Sequence, residues 1–339
     1  MKIAILGASH WHVPLMYIDA LKALGEEIVA VADTSPELVD IVQGKVDCPR
    51  YTDYEQCLAE AKPDLVFAHA PHRDMTELAA WLIQRHMPFH MEKPMGTDWR
   101  RLEPVATKAE TEGLFCSVAL VSRYYAIVQW LKARQADLGQ VYHYYYRLFA
   151  GDPGRYRAWG VPWMLDPELS GGGPLFNFGP HVVDLMLYLC TTEVVEVSAR
   201  WTHGLSGEKI EDLASLTMYG AGGEVGVGEV SYCMPSNTYE RYFSFDCDAL
   251  HAGGPDLGDM AVNWRNGRSE QVKGNAFEDV YPAYTRDTLE RFRAGQTPVA
   301  TPRDMVRTLR VMCAARESAA TGKTVKVLGG SEDDEGCGI

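Results

Sequence analysis

Two short stretches of this 339-residue chain carry side chains suited to moving protons and stabilising charge, and they span His90–Pro94 and Ser170–Asp184. His181 titrates near neutrality, so it can take the proton of a hydroxyl group as a hydride leaves the same carbon, or return it in the reverse direction. Lys93 can hydrogen-bond the reacting oxygen and stabilise the negative charge that develops there. The two residue types together predict the interconversion of an alcohol and a carbonyl group.

The spacing within the second stretch predicts how these groups are presented. Asn177, His181 and Asp184 recur at i, i+4 and i+7, which places them on one stripe of a helix. The three glycines at 171–173 let the backbone approach a substrate or cofactor closely. Taken alone, His181 could be a core histidine held by Asp184, and Lys93 a solvated lysine in a surface loop. The combination of both stretches favours catalysis.

The elements that must position these residues fall into two groups, and the first 120 residues alternate short apolar runs with helical patterns. Apolar strands separated by helices predict a parallel sheet covered on both faces, and right-handed crossovers make it a doubly wound Rossmann fold. The predicted strands are Ile3–Leu6, Ile28–Ala32, Leu65–His69, Pro88–Met91 and Phe115–Ala119, and the predicted helices are Val13–Leu24, Pro36–Val42, Tyr54–Ala61, Arg73–Arg85 and Arg100–Glu112.

The second group is rich in strands and follows a helix near 124–136. It predicts a large, mostly antiparallel open sheet, with one face on a helix near 174–189 and the other free to meet another subunit. The predicted strands are Val141–Leu148, Val194–Thr202, Leu213–Tyr219, Glu224–Tyr232, Tyr242–Cys247, Met260–Trp264 and Thr324–Leu328, with closing helices at Asp279–Ala294 and Pro302–Thr321.

The pattern therefore predicts an α/β protein of two domains. Residues 1–121 form the dinucleotide-binding Rossmann domain, and residues 122–330 form an α+β domain for substrate binding and oligomerisation. The last helix and strand of the second domain are candidates to pack back on the first. Residues 331–339 form an acidic tail without a core-forming pattern.

A nucleotide-binding turn is predicted at Gly7, which follows an apolar strand and precedes a helix, so that a pyrophosphate would meet the helix N-terminus. The G-x-G-x-x-G fingerprint is incomplete, because Ser9 and His12 stand at its second and third glycine positions. Asp33 ends the second strand, where a carboxylate accepts both ribose hydroxyls and repels a 2′-phosphate, so NAD is expected in preference to NADP. The alternative for Asp33 is a cap on the helix near Pro36.

The two stretches together resemble the glucose–fructose oxidoreductase, inositol dehydrogenase and MocA family. In that family E-K-P closes the nucleotide domain, and G-G-G-x-L-x-D-x-G-x-H-x-x-D opens a helix of the second domain. The resemblance covers nearly the whole chain, since Arg123-Tyr124 matches an R-F or R-Y pair and Thr301–Asp304 resembles the start of the closing helices. It implies an NAD(P)-dependent oxidoreductase that acts on the CH–OH group of a sugar, cyclitol or related glycoside, and a homodimer or homotetramer.

Two positions depart from the family pattern. Asn177 replaces the usual aspartate, and an amide can position a hydroxyl group but cannot accept a proton or raise the basicity of His181. The family's T-P-N-x-x-H becomes Ala70-Pro71-His72-Arg73-Asp74-Met75, in which Pro71 can still shape the turn beside the nicotinamide. Lys93 and His181 are therefore the expected catalytic pair.

The expected site combines these motifs with nearby side chains. Aromatic faces suit the C–H surfaces of sugars, and arginines suit hydroxyls or a carboxylate. The predicted catalytic residues are Lys93, His181 and Asn177; the predicted cofactor contacts are Gly7, Ser9, His10, Trp11, His12, Asp33, Ala70, Pro71, Glu92 and Lys93; and the predicted substrate contacts are Arg123, Arg155, Trp163, Asn177 and His181.

Five histidines gather at the carboxyl ends of the predicted strands or within them, at 10, 12, 69, 72 and 90. They could contact phosphates or substrate, form a divalent-metal site, or simply hydrogen-bond the loop backbone. No metal is predicted, because the neighbouring carboxylates Asp74 and Glu92 show no recognised ligand spacing.

The composition excludes other classes of protein. The formal charge of −14 argues against a nucleic-acid partner, and no apolar stretch reaches the length of a membrane span. The eight cysteines include no CxxC pair, which is typical of reduced thiols, and Lys2–Gly7 predicts a buried strand rather than a signal peptide. We expect a cytoplasmic protein. Two other functions stay open: a non-catalytic regulator that binds a dinucleotide or sugar, and a glycosidase that uses NAD for transient oxidation.

Overall fold

The computed structural model describes residues 1–8, 10–12, 16–36, 42, 45–235 and 238–327. Within them a parallel six-stranded sheet has the order β3-β2-β1-β4-β5-β6. Its strands are β1 (Lys2–Leu6), β2 (Glu27–Ala32), β3 (Arg50–Tyr51), β4 (Leu65–Ala68), β5 (Phe89–Met91) and β6 (Cys116–Val118). This is the Rossmann order, and the direction of winding reverses between β1 and β4, where ligands bind beyond the carboxyl ends of the strands.

The central strands of this sheet are buried on both faces, which explains their continuous apolar sequences. The helices that follow are α1 (Ile18–Ala23), α2 (Tyr54–Ala61), α3 (Met75–Gln84) and α4 (Trp99–Glu112). Asp53 caps α2 and Asp98 caps α4, each by accepting a bond from a first-turn N–H group. The predicted start of α1 at 13–15 and most of the predicted helix at 36–42 lie outside the described residues.

A nine-stranded sheet occupies the second half, in the order β14-β13-β12-β11-β7-β10-β9-β8-β15. Its strands are β7 (Val141–Gly151), β8 (Val194–Thr202), β9 (Leu213–Gly220), β10 (Val225–Met234), β11 (Tyr239–Cys247), β12 (Leu250–Gly254), β13 (Met260–Trp264), β14 (Ser269–Val272) and β15 (Val325–Lys326). Within this sheet, among the described strands, only the β7–β10 pair is parallel, so the prediction of a mostly antiparallel second sheet is confirmed.

Helices cover one face of this sheet. The helices of this part of the chain are α5 (Ala126–Lys132), α6 (Gln135–Leu138), α7 (Arg155–Ala158), α8 (Pro167–Ser170), α9 (Pro174–Asn177), α10 (Gly179–Cys190), α11 (Phe277–Arg293) and α12 (Pro302–Thr321), of which α5, α9, α10 and α12 contact strands of the sheet. The single helix expected near 174–189 is interrupted at Phe178, because Pro180 has no N–H group to donate back to the preceding turn. Helix α10 packs on β7 and β10.

The closing elements belong to both halves. Helix α12 packs between β8 and α4, and Arg303 donates to Glu110 of α4 at 2.8 Å. Strand β15 instead pairs with β8 of the large sheet. Every helix in the described part of the chain is too short or too polar to cross a bilayer.

Candidate active site

Lys93, Asn177 and His181 line one cavity of about 110 Å³ between the two sheets. Lys93 follows β5, Asn177 ends α9, and His181 lies in the first turn of α10. The ammonium of Lys93 donates to the backbone oxygen of Asn177 at 3.0 Å and to its Oδ1 at 3.2 Å. The fold therefore brings together the three residues that the sequence predicted to be catalytic.

Asn177 connects Lys93 to two tyrosines that sequence analysis did not assign to the site. Its Nδ2 donates to the hydroxyl oxygens of Tyr156 at 2.6 Å and of Tyr232 at 3.0 Å. Since Nδ2 carries two hydrogens, both have partners, and Oδ1 is left to accept from Lys93. The network fixes the position of the ammonium. The signal for Tyr232 was weak, because it lies on β10 like any strand tyrosine.

His181 is held by a hydroxyl group rather than by a carboxylate. Its Nδ1 lies 2.9 Å from the Oγ of Ser122, while Asp184 binds Arg123 instead. The alternative of a core histidine held by Asp184 is therefore wrong. Burial, followed by the charge of Lys93, holds the pKa of His181 well below its usual value. The imidazole is consequently neutral at pH 7 and able to accept a proton.

Burial also lowers the pKa of Lys93, to about 8, although the negative charge of Glu92 opposes the shift. Glu92 is itself buried; its Oε1 accepts from the hydroxyl of Tyr17 at 2.5 Å and lies 3.2 Å from Nδ1 of His12. Burial alone would raise the pKa of Glu92, but His12 and Lys93 hold it well below its usual range. A fixed negative charge therefore lies behind the ammonium of Lys93.

The three residues expected only at the substrate have different surroundings. Arg155 lines the cavity and donates to Tyr156 at 3.1 Å, so it joins the Asn177 network. Trp163 packs against His72 and is not among the described residues that line this cavity. Arg123 is fully engaged elsewhere.

Both edges of the Arg123 guanidinium bind protein groups, which corrects its expected role. Nε and Nη2 donate to Asp184 at 2.9 and 2.6 Å, Nη1 donates to the carbonyl of Val299 at 2.6 Å, and Nη2 lies 3.2 Å from Asp304. A buried arginine with these partners stabilises the fold and has little left to offer a ligand. The sequence could not distinguish this from a substrate contact, because both use an arginine near the site.

The glycine run before α9 packs against other parts of the protein. A side chain at Gly173 would place its Cβ 2.2 Å from the carbonyl oxygen of Glu211. The Glu211 carboxylate accepts from the backbone N–H groups of Gly173 at 2.7 Å and Leu175 at 3.1 Å. Gly173 thus allows a close approach to the protein's own β8–β9 connection, which is a structural reason for glycine at this position.

The turn after β1 requires a glycine at position 7. Gly7 has a φ of +76°, and a Cβ there would lie 1.8 Å from the carbonyl oxygen of His69, so only glycine fits. Asp33 is buried at the end of β2, and its Oδ1 accepts from the N–H of Ser35 at 3.2 Å. A cavity of about 490 Å³ begins beside it, at Thr34, and extends to Trp81.

The other predicted cofactor residues divide between the site and its surroundings. Trp11 and His12 line the cavity with Lys93, whereas His10 is stacked on Trp11 at 4.2 Å between ring centroids. Half-buried Ala70 and Pro71 follow β4. The predicted contact at Ser9 lies outside the described residues.

The remaining histidines hydrogen-bond the protein itself. Nδ1 of His69 lies 3.2 Å from the carbonyl of Leu6, Nδ1 of His72 lies 2.8 Å from the carbonyl of Ser170, and Nδ1 of His90 lies 3.0 Å from the hydroxyl of Tyr284. Over the described residues, no three His, Cys, Asp or Glu side chains are grouped so that they could hold a metal ion.

Comparison with known proteins identifies the family. Residues 1–120 match the model of the oxidoreductase family with an NAD-binding Rossmann fold, and residues 132–248 match the GFO/IDH/MocA C-terminal domain. Together the two matches cover most of the chain. The chain belongs to the GFO/IDH/MocA family of oxidoreductases, and residues 1–120 are its NAD-binding Rossmann domain.

Individual relatives are distant. The D-glucoside 3-dehydrogenase of Escherichia coli (strain K12) is 26% identical over 168 residues, which are 48% of this chain and 46% of that protein. The chain spans about half the length of the curated relatives it matches. Two solved structures share the fold over 96% of this chain: levoglucosan dehydrogenase with NADH and levoglucosan (15% identity, TM-score 0.85, 99% of that chain), and an Agrobacterium radiobacter oxidoreductase with NAD+, L-tartaric acid and magnesium (19%, 0.83, 98%).

Proposed function

We propose that this protein is an NAD-dependent dehydrogenase that transfers a hydride between nicotinamide and a hydroxyl-bearing carbon of a sugar, cyclitol or related glycoside. The observation that carries the proposal is the meeting of Lys93, from the end of β5, with His181 and Asn177, from α9 and α10, around one cavity. A proton acceptor and a charge-stabilising donor then share one reacting oxygen.

The residues of the nucleotide end fit NAD. The turn at Gly7 would hold the pyrophosphate, Asp33 the adenosine ribose, and Pro71 the side of the nicotinamide. NAD is proposed over NADP because Asp33 is a buried carboxylate at the ribose position. When bound, NAD supplies the hydride acceptor for oxidation of the alcohol.

The side chains of the chain account for the proton and the charge. During oxidation the C–H and O–H bonds of the alcohol break, the hydride leaves to the cofactor, and neutral His181 takes the hydroxyl proton. The ammonium of Lys93 has three N–H groups, and two of them donate to Asn177. With respect to the described residues, the third N–H group is therefore left for the substrate oxygen. Reduction of a carbonyl group uses the same steps in reverse.

The cavity lining supports a sugar-like substrate. Aromatic rings pack well on the C–H faces of a pyranose, while hydroxyl and guanidinium groups bind its oxygens. The aromatic lining residues are Trp11, Tyr125, Tyr156, Trp159, Phe178, Tyr239, Phe277 and Tyr281, and Arg155 lies among them.

The same proposal includes a homodimer or homotetramer. Helices cover one face of the large sheet, and the opposite face carries Tyr145, Tyr219 and Tyr242, two of which are exposed by more than a third. Exposed aromatic residues on an uncovered sheet face favour association with a second copy. Light scattering of the purified protein tests this, and a monomer would contradict it.

A turnover assay tests the proposed activity. We expect a panel of sugars and cyclitols to yield at least one substrate that reduces NAD, followed by absorbance of the reduced cofactor. His181→Ala should lower kcat by about 10²–10⁴-fold, since it removes the proton acceptor. Cleavage of a glycoside without net reduction would instead favour the glycosidase, and binding without turnover would favour the regulator.

A further inference from the structure

A second cavity adjoins the one that contains Lys93 and His181. It measures about 420 Å³ and shares three lining residues with the inner cavity, Tyr239, Arg241 and Phe277. The inner cavity of about 110 Å³ is well below the roughly 300–1,000 Å³ of ordinary ligand pockets. The inner cavity by itself holds only part of a substituted sugar, whereas the two cavities together reach the ordinary size.

Tyr239 and Arg241 face the cavities and not the open side of the sheet. Tyr239 pairs with Ala150 and Arg241 pairs with Leu148, and both partners on β7 are buried on the helix-covered side. Tyr242 has the opposite parity and lies on the open face. The exposure of Tyr239 is therefore separate from the surface proposed for association of subunits.

Two aromatic rings flank the guanidinium of Arg241. Its central carbon lies 5.1 Å from the ring centroid of Tyr239 and 5.2 Å from that of Phe277. Tyr239 is 50% exposed and Phe277 is 37% exposed, although both are large and carry apolar rings. The exposed ring faces can stack on a sugar ring, and the fixed guanidinium beside them can donate hydrogen bonds to its hydroxyl groups.

The charges around this second cavity favour a neutral ligand. Arg241 lies 3.7 Å from the buried carboxylate of Asp256 and also donates to Tyr125 at 3.2 Å. Arg241 and Asp256 are the charged residues of the described lining, so it carries one positive and one negative side chain. Because the one arginine of the lining is already paired with a carboxylate, a phosphate or diphosphate would find no unmatched positive charge there.

We propose that Tyr239, Arg241 and Phe277 form a second subsite, which binds the neutral second ring of a disaccharide-type glycoside while the ring to be oxidised lies at Lys93 and His181. The inference rests on the proposed function and names its substrate class. Free monosaccharides would fill only the inner subsite, and nucleotide-linked sugars would bring an unmatched diphosphate to the outer one.

Matched substrates test the subsite. The assay compares kcat/KM for glucose with cellobiose and maltose, for galactose with lactose, and for UDP-glucose. We expect the best disaccharide to exceed its monosaccharide by about tenfold, and Phe277→Ala or Arg241→Met to reduce that ratio by about tenfold. Tyr242→Ala is the matched control, because it removes an exposed tyrosine from the other face of β11 and should leave the ratio unchanged. A ratio that is insensitive to Phe277→Ala, or a preference for glucose or UDP-glucose, overturns the proposal.

A binding measurement separates this inference from the proposed activity. If no sugar reduces NAD, the proposed function fails, and the subsite is then tested by titrating the same disaccharides into the protein with NAD present. Binding that is weakened about tenfold by Phe277→Ala and retained in Tyr242→Ala supports the subsite. Absence of binding by every disaccharide to the unaltered protein rejects it.

Discussion

Burial lowers the pKa of both residues proposed to share the reacting oxygen, and it leaves them in different protonation states at neutral pH. It keeps His181 unprotonated at neutral pH, because the pKa of the imidazole is held well below its usual value. It brings Lys93 within reach of ordinary pH changes, because the pKa of its ammonium falls to about 8. The acceptor and the donor are thus in the required protonation states over the same pH interval.

The pH profile of oxidation follows from these two shifts. We expect kcat/KM to be constant around neutrality and to fall as the pH rises through about 8, because Lys93 then loses the proton with which it binds the oxygen. Initial rates between roughly pH 6 and 10 measure this. A rate that increases through the same interval would make Lys93 the proton acceptor and contradict the assigned roles.

Asn177→Asp tests whether deprotonation of Lys93 causes the fall in kcat/KM above about pH 8, the alkaline limb of the pH profile. The change places a carboxylate where the amide oxygen lies, 3.2 Å from the ammonium, and so raises the pKa of Lys93. The limb should move upward by roughly one pH unit. Asn177→Ala adds no charge, so it should lower the rate without an upward movement. If the alkaline limb of the Asp variant lies at the same pH as that of the unaltered protein, the deprotonation belongs to a group other than Lys93.

Among the elements, the end of β2 is proposed to decide which dinucleotide is used. Asp33→Ala should lower the NAD-to-NADP ratio of kcat/KM by about tenfold or more, because the carboxylate that repels a 2′-phosphate is gone. Asp33→Asn keeps a side-chain oxygen for the N–H of Ser35 and should relax the ratio similarly. If Asp33 serves only as a cap, both variants will keep the original ratio and Ala alone will lose stability.

Element types were predictable where one physical signal dominated. The buried strands of the Rossmann sheet appear as continuous apolar runs, and β13 was predicted with the bounds it has, Met260–Trp264. Strands β12 and β14 were missed, since one reads Leu-His-Ala-Gly-Gly and the other Ser-Glu-Gln-Val, without an apolar alternation. The break at Phe178 was missed because the spacing of Asn177 and His181 fits an unbroken helix.

The reactive groups of the candidate site could be predicted from the sequence, whereas the residues that surround and position them could not. Lys93 and His181 stand in recognisable motifs, so their types and positions were informative. Tyr232 and Tyr281 lie on an ordinary strand and an ordinary helix, and only the packing of the two sheets brings them to the cavity. Arg123 is the opposite case: it stands in a recognisable motif near the site, yet its guanidinium binds Asp184 and Val299 of the protein itself.

For the molecule as a whole, a buried ion cluster holds three separate parts of the chain together. Arg123 lies in the turn Val121–Tyr124 after β6, Asp184 lies in α10, and Asp304 lies in the first turn of α12. The side chains of Arg123 and Asp184 are 3% and 2% exposed. The cluster therefore links the end of the nucleotide-binding domain to two helices of the second domain, and one of these helices, α10, also carries His181.

Arg123→Met distinguishes this structural role from a substrate contact. The variant keeps much of the apolar stem but leaves the carboxylate of Asp184 buried without its partner, which should cost about 3–5 kcal/mol of unfolding free energy. Urea denaturation measures the loss, and KM for the sugar should change little at temperatures where the variant is folded. The double variant Arg123→Met/Asp184→Asn removes both charges and should recover part of the stability. An increase in KM at unchanged stability would return Arg123 to the substrate site.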